Sequence, residues 1–253
     1  MMRDFFGYVI DYDKSVQLFG VHHFLYAVVG LSAFLLPYLY VNKSTPWFKK
    51  RTVIVLLTML IVFELYYHIQ NYLFSSATLP LHVSSISLFM TMFLLMFPKN
   101  EKLIMMTFYL GVSAGFVALM VPLSYGFPYY NFRYYHFLIV HAVIIFFPVY
   151  ALKSHPIRFS LYEHHLVFLI IVVMIPIMIL VNSFLAQLPY DLFHNYWFVY
   201  EVPINLPGPL SIYPIYLMSL ILTFYTILTI LYWMYKHIID LEFHHLDDIS
   251  ANV

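Results

Sequence analysis

Seven apolar stretches, each about long enough to cross a lipid bilayer, constrain the fold of this chain more than any other feature. They cover residues 19–41, 52–74, 79–97, 103–122, 132–152, 163–187 and 209–235. Each stretch must be helical, because a segment in lipid has to satisfy its own backbone hydrogen-bonding groups. We therefore predict an all-α polytopic membrane protein in which one domain, residues 1–253, forms a bundle of seven transmembrane helices.

The composition agrees with a membrane location and excludes several functional classes. Hydrophobic residues make up 63% of the chain and charged residues only 9%, whereas a soluble domain carries about 25% charged residues. The net charge is zero, so the sequence indicates membrane lipids as partners and gives no sign of nucleic acid. The chain contains no cysteine, which excludes disulfides, a thiolate nucleophile and a cysteine-ligated metal.

The basic residues predict how the chain is oriented. Lys and Arg concentrate in cytoplasmic loops, and all but three of the 12 basic residues follow spans 1, 3, 5 or 7. The opposite side has only Arg3, Lys14 and Arg133. We therefore expect the N-terminus outside and the C-terminus inside, in a multi-pass protein of the cell membrane, specifically a bacterial plasma membrane.

Ionisable and hydroxyl side chains within the apolar stretches are the candidate functional residues, because a charge at the bilayer centre costs about 3 kcal/mol or more. With the predicted orientation these residues gather in the outer half of the bundle. Glu64 and His68 are spaced i, i+4 on one helix face. Glu64 can fix the tautomer of His68 or of a histidine on a neighbouring helix. The alternative is a structural pair that holds two helices together.

The start of the third span, residues 79–87, carries the densest set of such side chains. Ser84 becomes a nucleophile only if a base lies within hydrogen-bond reach. The candidate bases are His82, His68 and His141. The alternative is that serines in membrane helices allow close packing and bond to the helix backbone.

Four further residues near the outer ends of spans are candidates for substrate binding. Arg133 and His136 lie in an aromatic segment at the start of span 5, His23 opens span 1, and Asn182 lies near the end of span 6. The planar guanidinium of Arg133 matches the geometry of a phosphate. It equally suits snorkelling to lipid headgroups or an ion pair with Glu64.

Short motifs follow one another in a fixed order along most of the chain, from about Phe19 to Tyr225. They are Phe19-Gly20-Val21-His22-His23, Glu64-Leu65-Tyr66-Tyr67-His68, Leu79-Pro80-Leu81-His82-Val83-Ser84-Ser85-Ile86-Ser87, Gly126-Phe127-Pro128 with Phe132-Arg133, His141, and Gly208-Pro209. Their order and spacing resemble the YwaF-like family of integral membrane proteins, which includes the mammalian transmembrane protein 164.

The resemblance implies a seven-helix bundle and acyl transfer between membrane lipids. The mammalian member is understood to use a cysteine in a Leu-His-x-Cys-Ser segment and a histidine in a later helix. This chain has Ser84 at the cysteine position, so hydroxyl chemistry would replace thiol chemistry. More distant membrane hydrolases of similar layout pair a threonine with a histidine, which favours a Ser84–His141 pair here.

The first hypothesis is therefore a lipid acyltransferase or esterase that takes a phospholipid or lipidated substrate from the outer leaflet. Ser84 would attack the ester carbonyl, and His141 would take and return its proton. Glu64 and His68 would orient that histidine or the acceptor hydroxyl. His82 or a backbone N–H at the start of span 3 would stabilise the oxyanion, Arg133 would hold the headgroup, and no cofactor or metal is expected.

Two other classes of protein remain open. A zinc-dependent membrane hydrolase would use three histidines and an open water position, for which His68, His82 and His141 are the candidates. No HExxH or close HxxxH pair occurs in the spans, which counts against it. A non-enzymatic lipid transporter or binding protein is the third class, and the sequence shows no internal repeat of the kind that transporters use.

Overall fold

The structure, a computed structural model, describes residues 2–74, 77–122, 126–202 and 208–251. Within these residues the protein is all-helical and contains no strand. The chain forms two compact units, Met1–Ser75 with Val83–His155 and Ser76–His82 with Pro156–Val253.

The first unit is built from helices of very different length. Its helices are α1 (Met2–Phe6), α2 (Val21–Tyr40), α3 (Lys50–Phe74), α4 (Val83–Met96), α5 (Glu101–Met120) and α6 (Phe132–Ser154). A 3-10 turn at Tyr12–Lys14 lies between α1 and α2. Asn131 caps α6, since its side chain accepts a hydrogen bond from the backbone N–H of Arg133 at 2.9 Å.

The second unit contains two long helices, α7 (Leu161–Ala186) and α8 (Tyr213–Ala251). A capping box begins α7, where Ser160 and Glu163 satisfy each other's backbone N–H groups. Irregular chain with a 3-10 turn at Tyr196–Phe198 follows α7.

Six helices in the described residues are long and apolar enough to cross a membrane: α2, α3, α5, α6, α7 and the part of α8 from Tyr213 to Ile238. The remaining apolar helix, α4, has only 14 residues. At 1.5 Å per residue it covers about 21 Å, less than a hydrocarbon core of about 30 Å. The predicted third span, 79–97, is therefore corrected to a shorter helix.

Residues 77–82 are not helical because other side chains and backbone groups take their hydrogen bonds. The N–H of Leu79 donates to the hydroxyl of Tyr196 at 2.6 Å. The indole N–H of Trp197 donates to the carbonyl of Leu81 at 2.7 Å. These bonds replace those that a helix would make within itself, so irregular backbone is satisfied by protein rather than by water.

Close backbone approach between α5 and α6 requires glycine. A Cβ at Gly111 would lie 2.6 Å from the carbonyl oxygen of Ile144, and one at Gly115 would lie 2.5 Å from Cγ1 of Ile145. Gly111 falls in a π-helical stretch, Phe108–Val112, within α5. The wider turn and the missing side chains let the two helices pack backbone to backbone.

An apolar cluster in the first unit joins α3, α4 and α6. Its buried members are Leu60, Leu88, Met92, Leu95, Val140, Ile144 and Phe147. On each helix a polar residue lies one turn from a cluster member: Glu64 after Leu60, Ser84 before Leu88, and His136 before Val140. The cluster thus fixes the faces on which these three polar side chains lie.

Residues 4–15, which we call the cover, pack against the polar end of this unit. Asn131 donates hydrogen bonds to the carbonyls of Asp4 and Gly7 at 3.0 and 2.8 Å. Gln70 donates to the carbonyl of Phe6 at 2.8 Å. The cover ends beside 126–129, where the N–H of Asp11 donates to the carbonyl of Gly126 at 2.8 Å.

Candidate functional site

The centre of the candidate site is a carboxylate shared between two histidines. The imidazole Nε2 of His136 donates to Oε1 of Glu64 at 2.9 Å. Nε2 of His68 lies 3.6 Å from Oε2 of the same carboxylate. Glu64 and His136 are 7% and 6% exposed, so this contact lies within the protein. The histidine that bonds to Glu64 is therefore His136, on the neighbouring helix α6.

Arg133 lies one turn before His136 in an aromatic cage. Its guanidinium carbon is 4.3 Å from the centroid of the Tyr67 ring, 4.7 Å from that of Phe127 and 5.8 Å from that of Tyr8. A guanidinium nitrogen also donates to the side-chain oxygen of Asn71. Of the alternatives open for Arg133, pairing with Glu64 does not occur, because Glu64 bonds to His136.

Trp47 joins α4 to α6 near the ends of these helices that lie away from Ser84. The indole N–H of Trp47 donates to the carbonyl of Leu95 at 3.4 Å, and its ring lies 5.2 Å from that of Tyr150. Leu95 and Tyr150 therefore both lie close to this indole, toward the C-terminal ends of α4 and α6. Ser84 lies in the first turn of α4, at the other end of that helix from Leu95.

The buried imidazole of His141 has a fixed tautomer. Its Nδ1–H donates to the carbonyl of Phe137 at 2.6 Å, which leaves the lone pair on Nε2. No hydrogen bond joins Ser84 to His141 within the described residues. Hydrogen bonds between catalytic groups are often long without substrate and shorten in the reacting complex.

The remaining predicted site residues have structural partners. His82 lies in the second unit, where its ring packs 5.0 Å from that of Tyr196. The side-chain amide of Asn182 donates to the carbonyl of Tyr196 at 2.9 Å and accepts from the N–H of Tyr196 at 3.0 Å. His23 accepts from the N–H of Phe19 at 2.9 Å and donates to the carbonyl of Met120 at 2.9 Å. Both polar groups of Asn182 and of His23 are therefore occupied.

The structure adds Tyr67 and Tyr8 to the site, and it gives Asn71, which follows His68 by one turn on the Glu64 face, a partner. Tyr67 stacks on the imidazole of His136, with ring centroids 4.7 Å apart and planes 8° apart. The side-chain oxygen of Asn71 accepts a hydrogen bond from Arg133, and the Tyr8 ring of the cover lies against the same guanidinium. The spacing of α3 had placed Asn71 on the same face as Glu64 and His68. Nothing in the sequence pointed to Tyr8.

The side chains that could ligate zinc do not support the zinc alternative within the described part of the chain. No group of three or more His, Asp or Glu side chains there is placed to hold a metal ion. His68 and His136 approach Glu64, but the three form an ion-pair cluster in which the imidazoles point at the carboxylate.

These features define a multi-pass membrane protein whose described residues contain six helices long and apolar enough to span a bilayer, a shorter apolar helix and a buried charged site in the first unit. A family model matches residues 18–233 and is that of the TMEM164 family. The chain belongs to the TMEM164 family, which confirms the resemblance drawn from its motifs. No curated protein and no solved structure matches the chain. The cover, residues 4–15, lies before the matched stretch.

Proposed function

We propose that this protein is a membrane-embedded acyltransferase or esterase that acts on a lipid ester with Ser84 as nucleophile and His141 as base. The observation that carries the proposal is that α4 and α6 share the apolar cluster, with Ser84 one turn before its member Leu88 and His141 directly after its member Val140. The tautomer of His141 supports the role of base, because its Nε2 is left to accept a proton.

The proposed reaction has two balanced steps. In the first, His141 takes the proton of the Ser84 hydroxyl while Oγ bonds to the ester carbonyl carbon. The bond to the leaving alcohol then breaks, and His141 returns the proton to that oxygen. In the second, an acceptor hydroxyl, from another lipid or from water, loses its proton to His141 and attacks the acyl-serine. Ser84 leaves with that proton, and the acyl group has moved to the acceptor.

The other polar side chains would position the reacting groups. The backbone N–H groups in the first turn of α4 have no partner within that helix and would stabilise the oxyanion. The Glu64–His136 pair would orient the acceptor hydroxyl from the opposite side of Ser84. Arg133 would hold the phosphate of the headgroup. In the same proposal the six long apolar helices and the shorter α4 make seven crossings of one bilayer with the N-terminus outside, and the lipid enters from the outer leaflet.

The test follows labelled phospholipid to lysolipid, free fatty acid or a newly acylated lipid in reconstituted membranes. Ser84→Ala should abolish turnover, because no other hydroxyl would replace Oγ. Ser84→Cys should keep part of it, since the resemblance implies a cysteine at this position in the mammalian member. Ser85→Ala removes the neighbouring hydroxyl and should be mild. Full turnover in Ser84→Ala would eliminate the serine mechanism, and its loss on addition of a chelator would favour the zinc class.

A further inference from the structure

The guanidinium of Arg133 carries a buried charge that no carboxylate balances. Its side chain is 7% exposed, and no Asp or Glu oxygen of the described residues lies within 4.0 Å. Its Nε has no hydrogen-bond partner among those residues. A buried charge without its partner typically costs about 3–5 kcal/mol. The site therefore surrounds the guanidinium of Arg133 with aromatic rings but brings no carboxylate of the described residues to it.

The cover closes this site with weak and local attachments. Tyr8 contributes one ring of the cage, 5.8 Å from the guanidinium carbon, and packs against Phe127 with centroids 5.2 Å apart. The hydrogen bonds that hold the start of the cover come from the side chains of Asn131, Gln70 and Tyr66 to backbone carbonyls. Neutral hydrogen bonds of this kind contribute about 1 kcal/mol each.

We propose that the cover competes with an oxyanion for Arg133: displacement of residues 4–15 opens the cage, and the phosphate of a lipid headgroup binds there. This inference rests on the proposed role of Arg133 in holding the headgroup and adds that the chain itself blocks that site. The planar fork of the guanidinium suits a phosphate, which accepts two parallel hydrogen bonds from it. Nε, which lacks a partner with the cover in place, supplies one of the fork's donors.

The chain offers variants that act on the cover alone. Asn131→Ser keeps a side-chain acceptor for the cap of α6 but removes the amide that holds Asp4 and Gly7. Tyr8→Ala removes the cover's ring from the cage. Tyr12→Ala is the matched control, because the Tyr12 ring belongs to the same segment and does not lie over the guanidinium.

The experiment measures hydrogen exchange of residues 4–15 in the full-length protein in micelles of a maltoside detergent. Every sample carries Ser84→Ala, so the result does not depend on turnover and cannot be confused with failure of the proposed reaction. Three probes are compared: a diacyl phosphatidylglycerol, a diacylglycerol of the same chain length, and inorganic phosphate. The amount of probe that produces half of the change gives an apparent affinity.

The phosphate-bearing lipid should speed exchange of the cover severalfold, and diacylglycerol should not. A similar response to inorganic phosphate would identify free phosphate as a second source of the same ligand. Asn131→Ser and Tyr8→Ala should raise the apparent affinity severalfold, whereas Tyr12→Ala should not. Arg133→Gln should lower it by about tenfold or more, as expected for loss of a charge-assisted hydrogen bond.

Three results would overturn the proposal. They are equal opening by diacylglycerol, binding of the phosphate probe with no change in exchange of residues 4–15, and unchanged affinity in both Asn131→Ser and Tyr8→Ala. The last comparison needs no change at Arg133, so it decides the question even if Arg133→Gln fails to fold.

Discussion

The carboxylate of Glu64 and the imidazole of His136 meet at 2.9 Å across two helices of the first unit. Both side chains are buried, and the Tyr67 ring covers one face of the imidazole. The contact therefore joins α3 to α6 by a charge-assisted hydrogen bond one turn from the apolar cluster.

This pair should show strong coupling in a double-mutant cycle. Glu64→Leu or His136→Phe alone should lower the free energy of unfolding by roughly 3 kcal/mol, because each leaves a buried polar partner. The double variant should recover most of that loss, since both polar groups are then gone. Unfolding in mixed micelles measures the effect. Glu101→Leu, at an exposed helix start, should cost about 1 kcal/mol or less. Additive losses in the double variant would show that the two residues act independently.

Ser84 and His141 should be non-additive in turnover if they act as one unit. His141→Ala should reduce turnover by about 100-fold or more, in the range of general-base catalysis, and the double variant with Ser84→Ala should be little worse than Ser84→Ala. Turnover of labelled phospholipid measures this. His23→Ala provides the control, because both of its ring nitrogens are occupied by backbone groups. A His141→Ala variant with full turnover would move the role of base to His136.

Gly111 should tolerate no side chain. Gly111→Ala would place a methyl 2.6 Å from the carbonyl oxygen of Ile144, and backbone cannot yield as a flexible side chain can. We expect a loss of about 1–3 kcal/mol in unfolding free energy, typical of overpacking. Gly30→Ala is the control, because its Cβ would meet Cδ1 of Leu119 at 3.0 Å, the end of a side chain that can move aside. Equal stability of the two variants would mean that α5 and α6 can separate locally.

The predicted orientation can be read from single cysteines, since the chain has none of its own. Ser44→Cys, in the basic loop after α2, should resist an impermeant thiol reagent in intact cells. Gln187→Cys, just after α7, should react. Both should react once the membrane is opened. The reverse pattern in intact cells would invert the orientation and, with it, the leaflet that supplies the lipid.

The end of the cover should respond to acid through Asp11. The hydrogen bond and ion pair with Lys14 lower the pKa of Asp11 below its ordinary value of 3.8. A carboxyl whose pKa falls on folding stabilises the fold above its unfolded pKa and loses that contribution as pH falls through the folded value. Wild type should therefore protect residues 11–15 from exchange better than Asp11→Asn at pH 6, and the difference should vanish below that folded pKa. A difference that persists at low pH would show that it does not come from the charge of Asp11.

The apolar runs were sufficient to predict where most helices lie, because a membrane span is specified by its own residues. The third run was the exception. Its first residues bond to Tyr196 and Trp197, more than one hundred positions away, and no local pattern reports such a partner. For the polar residues, too, local sequence predicted part of the site and long-range packing decided the rest. Depth and spacing selected Glu64 and predicted a histidine partner on its own or a neighbouring helix, and the crossing of α3 with α6 decided that the close partner is His136.

The cover was beyond sequence reasoning for a different reason. Its attachments run from side chains elsewhere in the chain to its backbone carbonyls, which every sequence possesses. Arg133 illustrates the consequence. Three uses of its charge were open from the sequence, whereas the structure places it against Asn71, Tyr67, Phe127 and Tyr8.

The shortness of α4 has a consequence for the lipid around it. A helix of 14 residues, about 21 Å long, matches its surroundings only if the bilayer thins beside it or if the irregular residues before it fill the difference. Acyl chains next to such a helix must bend or shorten, and their ester groups are then drawn below the depth they keep in an undisturbed leaflet. The first turn of α4, which contains Ser84, would meet those esters without any lipid leaving the membrane.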